Sequence, residues 1–256
     1  MSLLETRDLT IRFGGHVAVN AVSCAFAPGT LTAIVGPNGA GKTTYFNLIS
    51  GQLRASDGQV LLGGQDLSRL PASARTRAGL GRAFQLTNLF PHLSVRENVR
   101  LAVQATRAGA HRRGLNLWSI WSDHRAVTER ADQILADVAM LPRAEATVAG
   151  LPHGDQRKLE VALLMALEPQ VFMFDEPTAG MNAAEAPVIL DLIRRLKQDR
   201  TKTILLVEHK MDVVRELADR IIVLHNGTLV ADGLPAEVIA SPIVQEAYLG
   251  VAREAA

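Results

Sequence analysis

Cysteine occurs once in the 256 residues, at Cys24. One thiol forms no internal disulfide and no cysteine metal cluster. It reads as a small buried apolar residue. Charge of either sign is not in excess: 27 basic and 26 acidic residues leave a net +1. That removes a broad electrostatic case for binding nucleic acid. Long hydrophobic runs are missing too. Val161 to Leu167 is among the longest, well short of the roughly 18–20 residues of a spanning helix. The start of the chain lacks the basic, apolar, small-residue order of a signal peptide. Repeats, low-complexity tracts and flexible linkers are likewise not found. The expectation is a cytosolic protein that meets a membrane only through a partner or a surface patch. Hydrophobic content of 48% is ample for a packed core, and the length allows one large domain or a core with a subdomain.

One stretch carries a specific chemistry. Gly36-Pro37-Asn38-Gly39-Ala40-Gly41-Lys42-Thr43 fits the phosphate-binding loop, Gly, four residues, Gly-Lys-Ser/Thr. Leu31 to Val35 before it is short, apolar and partly β-branched, which predicts a buried strand. Thr43 to Ser50 after it predicts a helix, stopped by Gly51. Glycines let successive N–H groups curl around an anion, and the helix N-terminus adds its orphan donors and dipole. Lys42 is placed to reach the β- and γ-phosphates, and the Thr43 hydroxyl to ligate Mg²⁺. A glycine turn that binds nothing is the competing reading, and the correct flanks on both sides argue against it. The motif specifies a nucleoside triphosphate and not the use of its energy.

Around this loop the pattern alternates. Leu9 to Phe13, Val17 to Val19 and Val22 to Phe26 read as short strands, with Gly14-Gly15 a hairpin turn. Aromatics are scarce at 4% of the chain, and Phe13 reads equally as core or as a surface on which a base stacks. Ser73 to Gly79 reads as a short helix. From Phe90 to Ala149 the chain becomes mainly helical. Ser94-Val95-Arg96-Glu97 is a capping box, followed by Val95, Val99 and Val103 at helical spacing. Arg107 to Arg113 reads as a basic, glycine-broken loop. Leu115 to Trp121 holds both tryptophans and reads as core, a partner contact or a membrane-interface anchor. Val127 to Val138 is an amphipathic helix. Leu151 to Arg157 is a polar turn opening another helix, which Glu168-Pro169 stops.

Val171 to Phe174 is an apolar run ending in Asp175-Glu176. A buried strand that delivers two acids at its C-terminal end, after a phosphate loop, has a definite meaning. Asp175 would hold Mg²⁺ through water, and Glu176 would orient or deprotonate the attacking water. Asn182 opens the next helix as N-cap, with Ile189, Leu192, Ile193 and Leu196 on its buried face and Pro187 early within it. Thr203 to Val207 is a further strand, ending in Glu208-His209. An Asn226-Gly227 hairpin follows, and two short helical pieces close the chain.

Together these residues resemble the ATP-binding subunit of ABC transporters. The carriers are Gly36 to Thr43, Gln85 in Arg82-Ala83-Phe84-Gln85, the signature-like Leu151 to Arg157, Asp175-Glu176-Pro177-Thr178, Ala179-Gly180-Met181-Asn182 and His209, in the family's order. The fold implied is α/β: a P-loop NTPase, RecA-like core with an N-terminal antiparallel β subdomain (residues 1–86 and 168–256) and an inserted α-helical subdomain (87–167) bearing the signature loop. The cofactors implied are ATP and Mg²⁺. The resemblance implies that Gln85 contacts the metal or the attacking water, that His209 contacts the γ-phosphate, that Thr44 sits on the α-phosphate and that Phe13 stacks on adenine. It implies that Gly154 reaches ATP held by a second ATPase subunit, paired head to tail. Permease subunits in the inner membrane are the implied partners, with a substrate-binding protein engaged indirectly, no nucleic acid, and a peripheral place on the cytoplasmic face.

Arg12 to Gly15, Gly79 to Arg82, Leu89 to Leu93, Glu208 to Asp212 and Ala247 to Gly250 look like the ATPase subunits of branched-chain amino acid importers. The long stretch near Trp118 and Trp121 looks like the larger-insert one of the two paralogues. The ATPase of a lipopolysaccharide-type exporter is the alternative. A soluble ABC protein acting on ribosomes or DNA would carry a second ATPase half, a coiled-coil insert or a basic face. Two positions depart from the family. The signature is Leu151-Pro152-His153-Gly154-Asp155 where Leu-Ser-Gly-Gly-Gln is usual, so a hydroxyl and an N–H are lost at Pro152 and Asp155 brings negative charge. Asn182 stands where aspartate is usual.

Overall fold

The computed structural model describes residues 3–83, 89–110, 117–182, 185–242 and 244–245, and only the backbone of 107–110 and 117–124. The chain begins as a hairpin of β1 (Leu4–Phe13) and β2 (His16–Phe26), closed by Gly14-Gly15 with Phe13 opposite His16. Both strands run unbroken where the sequence pattern suggests shorter pieces. The alternation is interrupted by register shifts, with Asp8 (φ 45°) and Ala21 (φ 48°) in left-handed backbone. Side chains replace the lost ladder bonds there. Asp8 N–H donates to Ser23 Oγ (2.7 Å) and Ala21 N–H to Thr10 Oγ1 (2.9 Å). Two more strands, β4 (Asp57–Leu62) and β5 (Gln65–Asp66), extend this antiparallel sheet in the order β2-β1-β4-β5.

A second sheet holds β3 (Leu31–Val35), β6 (Leu80–Ala83), β7 (Val171–Asp175), β8 (Thr203–Val207), β9 (Arg220–His225) and β10 (Thr228–Gly233) in the order β10-β9-β3-β8-β7-β6. β3 lies parallel to both β8 and β9, and β7 lies parallel to β8. Every residue of β3 and β8 is buried. Strands covered on both faces read as continuous apolar runs rather than alternations. The β9–β10 hairpin turns at Asn226 (φ 48°) and Gly227 (φ 76°), the pair of positive φ values a type I′ turn needs.

One face of this sheet, the antiparallel sheet and α1 (Lys42–Ser50) share a core that includes Leu9, Phe26, Tyr45, Phe46, Ile49 and Met173. The other face packs on α7 (Met211–Leu217) and α8 (Pro235–Ala240) through Val35, Val214, Val223 and Val238. Between β5 and β6 lies the short α2 (Ala72–Arg77). Its Arg75 is buried and donates to the carbonyls of Leu48 (2.6 Å) and Ile49 (2.8 Å). Those are among the orphan acceptors at the end of α1, so Arg75 caps that helix with a positive charge at its negative pole.

The remaining helices are α3 (Val95–Ala110), α4 (Leu117–Asp137), α5 (His153–Ala166) and α6 (Ala186–Gln198). The first three pack on one another. The Ser94 capping box forms as read. Ser94 N–H donates to Glu97 Oε2 (2.9 Å), and Glu97 N–H to Ser94 Oγ (3.2 Å). The loop read at Arg107 to Arg113 is corrected in part, since α3 continues to Ala110 and includes Gly109. One glycine in the last described turn costs at most about 1 kcal/mol, which a capped helix with buried Val95, Val99 and Val103 absorbs. Trp118 and Trp121 lie within α4; their side chains are outside the described residues. Pro187 is the second residue of α6, where its missing N–H is an orphan anyway. Of the face read for that helix, Ile189, Leu192 and Ile193 are buried and Leu196 is half-buried.

The chain divides into two compact units. One is Met1–Arg82, Gln170–Glu176 and Leu196–Ala256; the other is Ala83–Pro169 and Pro177–Arg195. Among the described residues no helix is long and apolar enough to cross a membrane.

Candidate functional site

The phosphate loop links the end of β3 to α1. Gly36 (φ 152°) passes so close to β9 that an added Cβ would stand 2.1 Å from the Leu224 carbonyl oxygen. Gly41 (φ 95°) is the N-cap of α1, and a Cβ there would meet Ala18 O at 2.6 Å. The loop is tied down from the neighbouring hairpin, where Gly227 N–H donates to Ala40 O (3.0 Å). Neither a side-chain cap nor an acid in the first turn occupies the N-terminus of α1. Its N–H donors and dipole are therefore left to a ligand. A cavity of about 290 Å³ lies over it, lined by Asn38 to Thr44 together with His16, Ala18, Glu176 and His209.

Lys42 is buried, and its Nζ donates to Gly36 O (2.7 Å) and Pro37 O (2.9 Å). Burial lowers its pKa, and the carboxylates of Glu176 and Asp175 act in the opposite sense. Thr43 and Thr44 face the same cavity. Phe13 is half exposed at the tip of the first hairpin and is not in the lining; its cross-strand partner His16 is. Gln85 lies outside the described residues.

β7 carries its two acids to the same end of the sheet. Glu176 follows the strand in left-handed backbone (φ 48°), with its N–H on Val207 O (2.9 Å). That turn directs its carboxylate to His209, with Oε1 and Nε2 2.6 Å apart. His209 is held in turn by Glu208, a buried acid whose Oε1 accepts from the N–H groups of His209 and Lys210, both at 3.2 Å. Asp175 Oδ2 accepts from Arg82 Nη2 at 2.8 Å in a nearly dry pair. Desolvation pushes the Asp175 pKa up, and the Arg82 guanidinium offsets part of that rise. Sequence reasoning singled out neither Arg82 nor Glu208 for a role. Arg82 stands in the quoted Arg82-Ala83-Phe84-Gln85, but a lone arginine announces no partner 93 positions away.

The donor set suits Mg²⁺. A threonine hydroxyl and a carboxylate are hard oxygen ligands, and this ion keeps several waters and shares substrate phosphates rather than needing a full protein cage. Among the described residues no group of three or more His, Cys, Asp or Glu side chains forms a metal site by itself.

The signature-like loop belongs to the other unit. Gly154 is the second residue of α5, and its N-cap Pro152 supplies no side-chain bond. Asp155 is buried and paired with Arg143 Nε and Lys158 Nζ, each at 3.1 Å. Its charge, read from sequence as a burden on a phosphate, is largely answered within the unit. Glu185 sits against Gly154. A Cβ there would lie 2.3 Å from Glu185 Oε2, the same oxygen that accepts from Asn182 N–H (3.2 Å). Asn182 Oδ1 accepts from Glu185 N–H (3.0 Å), a reciprocal pair.

Residues 19–179 match the family described as ABC transporter, and residues 228–254 match that described as branched-chain amino acid ATP-binding cassette transporter. The chain is 38% identical over 251 residues to the high-affinity branched-chain amino acid transport ATP-binding protein LivG of Escherichia coli (strain K12), covering 98% of each. It is 31% identical over 254 residues to the arginine/ornithine transport ATP-binding protein AotP of Pseudomonas aeruginosa, covering 94% of each. The ADP conformation of an ATP-binding cassette of an ABC transporter superposes with a TM-score of 0.80 at 27% identity, covering 98% of this chain and 99% of that one.

Proposed function

The chain belongs to the ABC transporter ATP-binding family, and on that premise we propose that it hydrolyses ATP to drive an importer of branched-chain amino acids or related small solutes. The observation that carries this is the cavity in which Lys42, Thr43, Thr44, Glu176 and His209 face one another. In this reading the glycine cradle and the N-terminus of α1 bind the phosphates, with Lys42 on the β and γ groups and Thr44 on the α. Thr43 and, through water, Asp175 would hold Mg²⁺, which supplies charge neutralisation on those groups. Glu176 accepts a proton from the attacking water or orients it. His209, fixed by Glu208, contacts the γ-phosphate. Gln85 would contact the metal or the attacking water and sense the transporter, and Phe13 would stack on adenine. Positioning and charge do most of the work in such a transfer.

The site is half of a shared one. Gly154 and the α5 N-terminus reach ATP on a second ATPase subunit, ATP clamps the two together, and hydrolysis lets them part. Permease subunits and, through them, a substrate-binding protein complete the assembly on the cytoplasmic face. The relatives' names speak of amino acid transport, which favours this reading over lipopolysaccharide export. They also name two classes of amino acid, so the solute is best tested directly.

Glu176→Gln keeps ATP binding and lowers turnover by about 10²- to 10⁴-fold, the usual worth of a general base. Measuring nucleotide binding and phosphate release side by side checks this, and rapid hydrolysis by the variant would remove Glu176 as the base. A second expectation concerns the missing signature hydroxyl at Pro152. In a reconstituted pair, the site closed by this chain's signature hydrolyses more slowly than the site closed by its partner's. Changing each subunit's catalytic glutamate in turn tests it; equal losses of turnover count against it.

A further inference from the structure

We propose that Arg82 is a positioning residue for the hydrolytic site, a strut that sets the Asp175 carboxylate against the face of α1 that carries Thr43. The proposal rests on the reading of Thr43 and Asp175 as protein partners of Mg²⁺. Those two oxygen donors come from different elements, α1 and β7. Some third group must fix their separation.

Arg82 lies on β6, the strand that leads toward Gln85 three residues on. Its guanidinium spends both terminal nitrogens on the two elements in question. Nη2 donates to Asp175 Oδ2 at 2.8 Å. Nη1 donates to Asn47 Oδ1 (2.6 Å), Ser50 Oγ (2.9 Å) and, more weakly, Gln52 Oε1 (3.3 Å). Asn47 is four residues after Thr43 in the same helix. Positions i and i+4 share a face, so the strut grips α1 one turn below the metal-ligating hydroxyl. The guanidinium also lies over the Phe46 ring, 5.2 Å from its centroid. A planar fork held at both ends and on one face has little freedom left.

Burial argues that this is more than a stabilising pair. The Arg82 and Asp175 side chains are only 6% and 10% exposed. A buried ion pair is poor value for stability alone, since apolar residues of similar volume do as well or better. Here the Arg82 guanidinium holds Oδ2 of the Asp175 carboxylate in place from a buried, doubly anchored position. Partners that orient a ligand in this way are worth about 10- to 100-fold in metal affinity.

The test uses the full chain, purified, with binding of a fluorescent ATP analogue followed as Mg²⁺ is titrated. Arg82→Lys keeps the charge and loses the fork. It raises the Mg²⁺ concentration for half-saturation about tenfold and leaves metal-free nucleotide binding unchanged. Asn47→Ala with Ser50→Ala frees the α1 end and keeps the ion pair, and gives a smaller rise in the same direction. Should Arg82→Lys fail to fold, the Asn47→Ala, Ser50→Ala variant still decides the matter. A lower Tm with an unchanged Mg²⁺ midpoint in both overturns the proposal and leaves Arg82 a stabilising residue only. Asp175→Asn separates the two levels. If it keeps the wild-type Mg²⁺ response, the reading of Asp175 has failed and the strut falls with it. If it loses that response while Arg82→Lys keeps it, only the strut has failed.

Discussion

Two helix N-termini in this protein use the same physics to different ends. α1 starts at a glycine, with no acid in its first turn, beneath a cavity of about 290 Å³. α5 starts at Pro152, has Asp155 in its first turn and has the Glu185 carboxylate lying against Gly154. The first presents bare donors to an incoming anion. The second already has a carboxylate of its own chain, Glu185, lying against it. A helix dipole is generic, and what surrounds it decides whether it binds at once or must first be cleared.

The sharpest way to break this contrast is to disarm the first terminus. Lys42→Ala removes a buried cation aimed at the loop. A charge-assisted hydrogen bond is worth about 1.5–3 kcal/mol, so ATP affinity falls roughly 10- to 100-fold. Equilibrium nucleotide binding measures it, and an unchanged affinity would take Lys42 out of the site.

The two glycines come next. Gly41→Ala forces a left-handed alanine into backbone, because the obstruction is the Ala18 carbonyl. It costs on the order of 1–3 kcal/mol of stability. Gly154→Ala meets only the end of a side chain, Glu185, at ordinary backbone φ. Its cost is about 1 kcal/mol or less, since a surface carboxylate can swing aside. Denaturant midpoints of the two variants compare them directly. Equal losses would mean that the α5 terminus is as rigidly built as the phosphate loop.

The smallest effect is the most telling. Glu185→Gln keeps the reciprocal bond to Asn182, because glutamine serves in a capping box as glutamate does. It removes one negative charge from the α5 terminus. On the proposed head-to-tail pairing, ATP-driven association with a second ATPase subunit then strengthens about two- to fivefold, the range of a helix-terminus charge effect. Sedimentation in a Glu176→Gln background reads it, and weaker association in that variant would mean that Glu185 supports closure instead of opposing it.

Much of this was legible in the sequence because the signals are local. The phosphate loop, its flanking strand and helix, the Ser94 capping box and the Asn226-Gly227 turn each declare themselves within about eight residues. The bulged hairpin was read in pieces, because Asp8 and Ala21 give no sign of their positive φ; only the Ser23 and Thr10 side chains across the sheet explain it. The pattern ends α3 too early, because Gly109 reads as a break and the helix runs through it to Ala110. Arg82 and Glu208 act through contacts that no spacing announces, as does Glu185 against Gly154, though the Asn182-to-Glu185 spacing is that of a capping box. Arg82 joins positions 47, 50 and 175, which meet only once the sheet order is set. A motif names the groups that touch the ligand more readily than those that hold them.

Glu176 ends β7 in a conformation that suits glycine better than any residue with a Cβ. Left-handed backbone costs such a residue about 1 kcal/mol. A laboratory selection for heat resistance, with no demand for turnover, is therefore drawn toward glycine at this position. The variants that survive longest in it would be those that can no longer split ATP. The working protein carries a small permanent penalty in folding at the position we propose as the base.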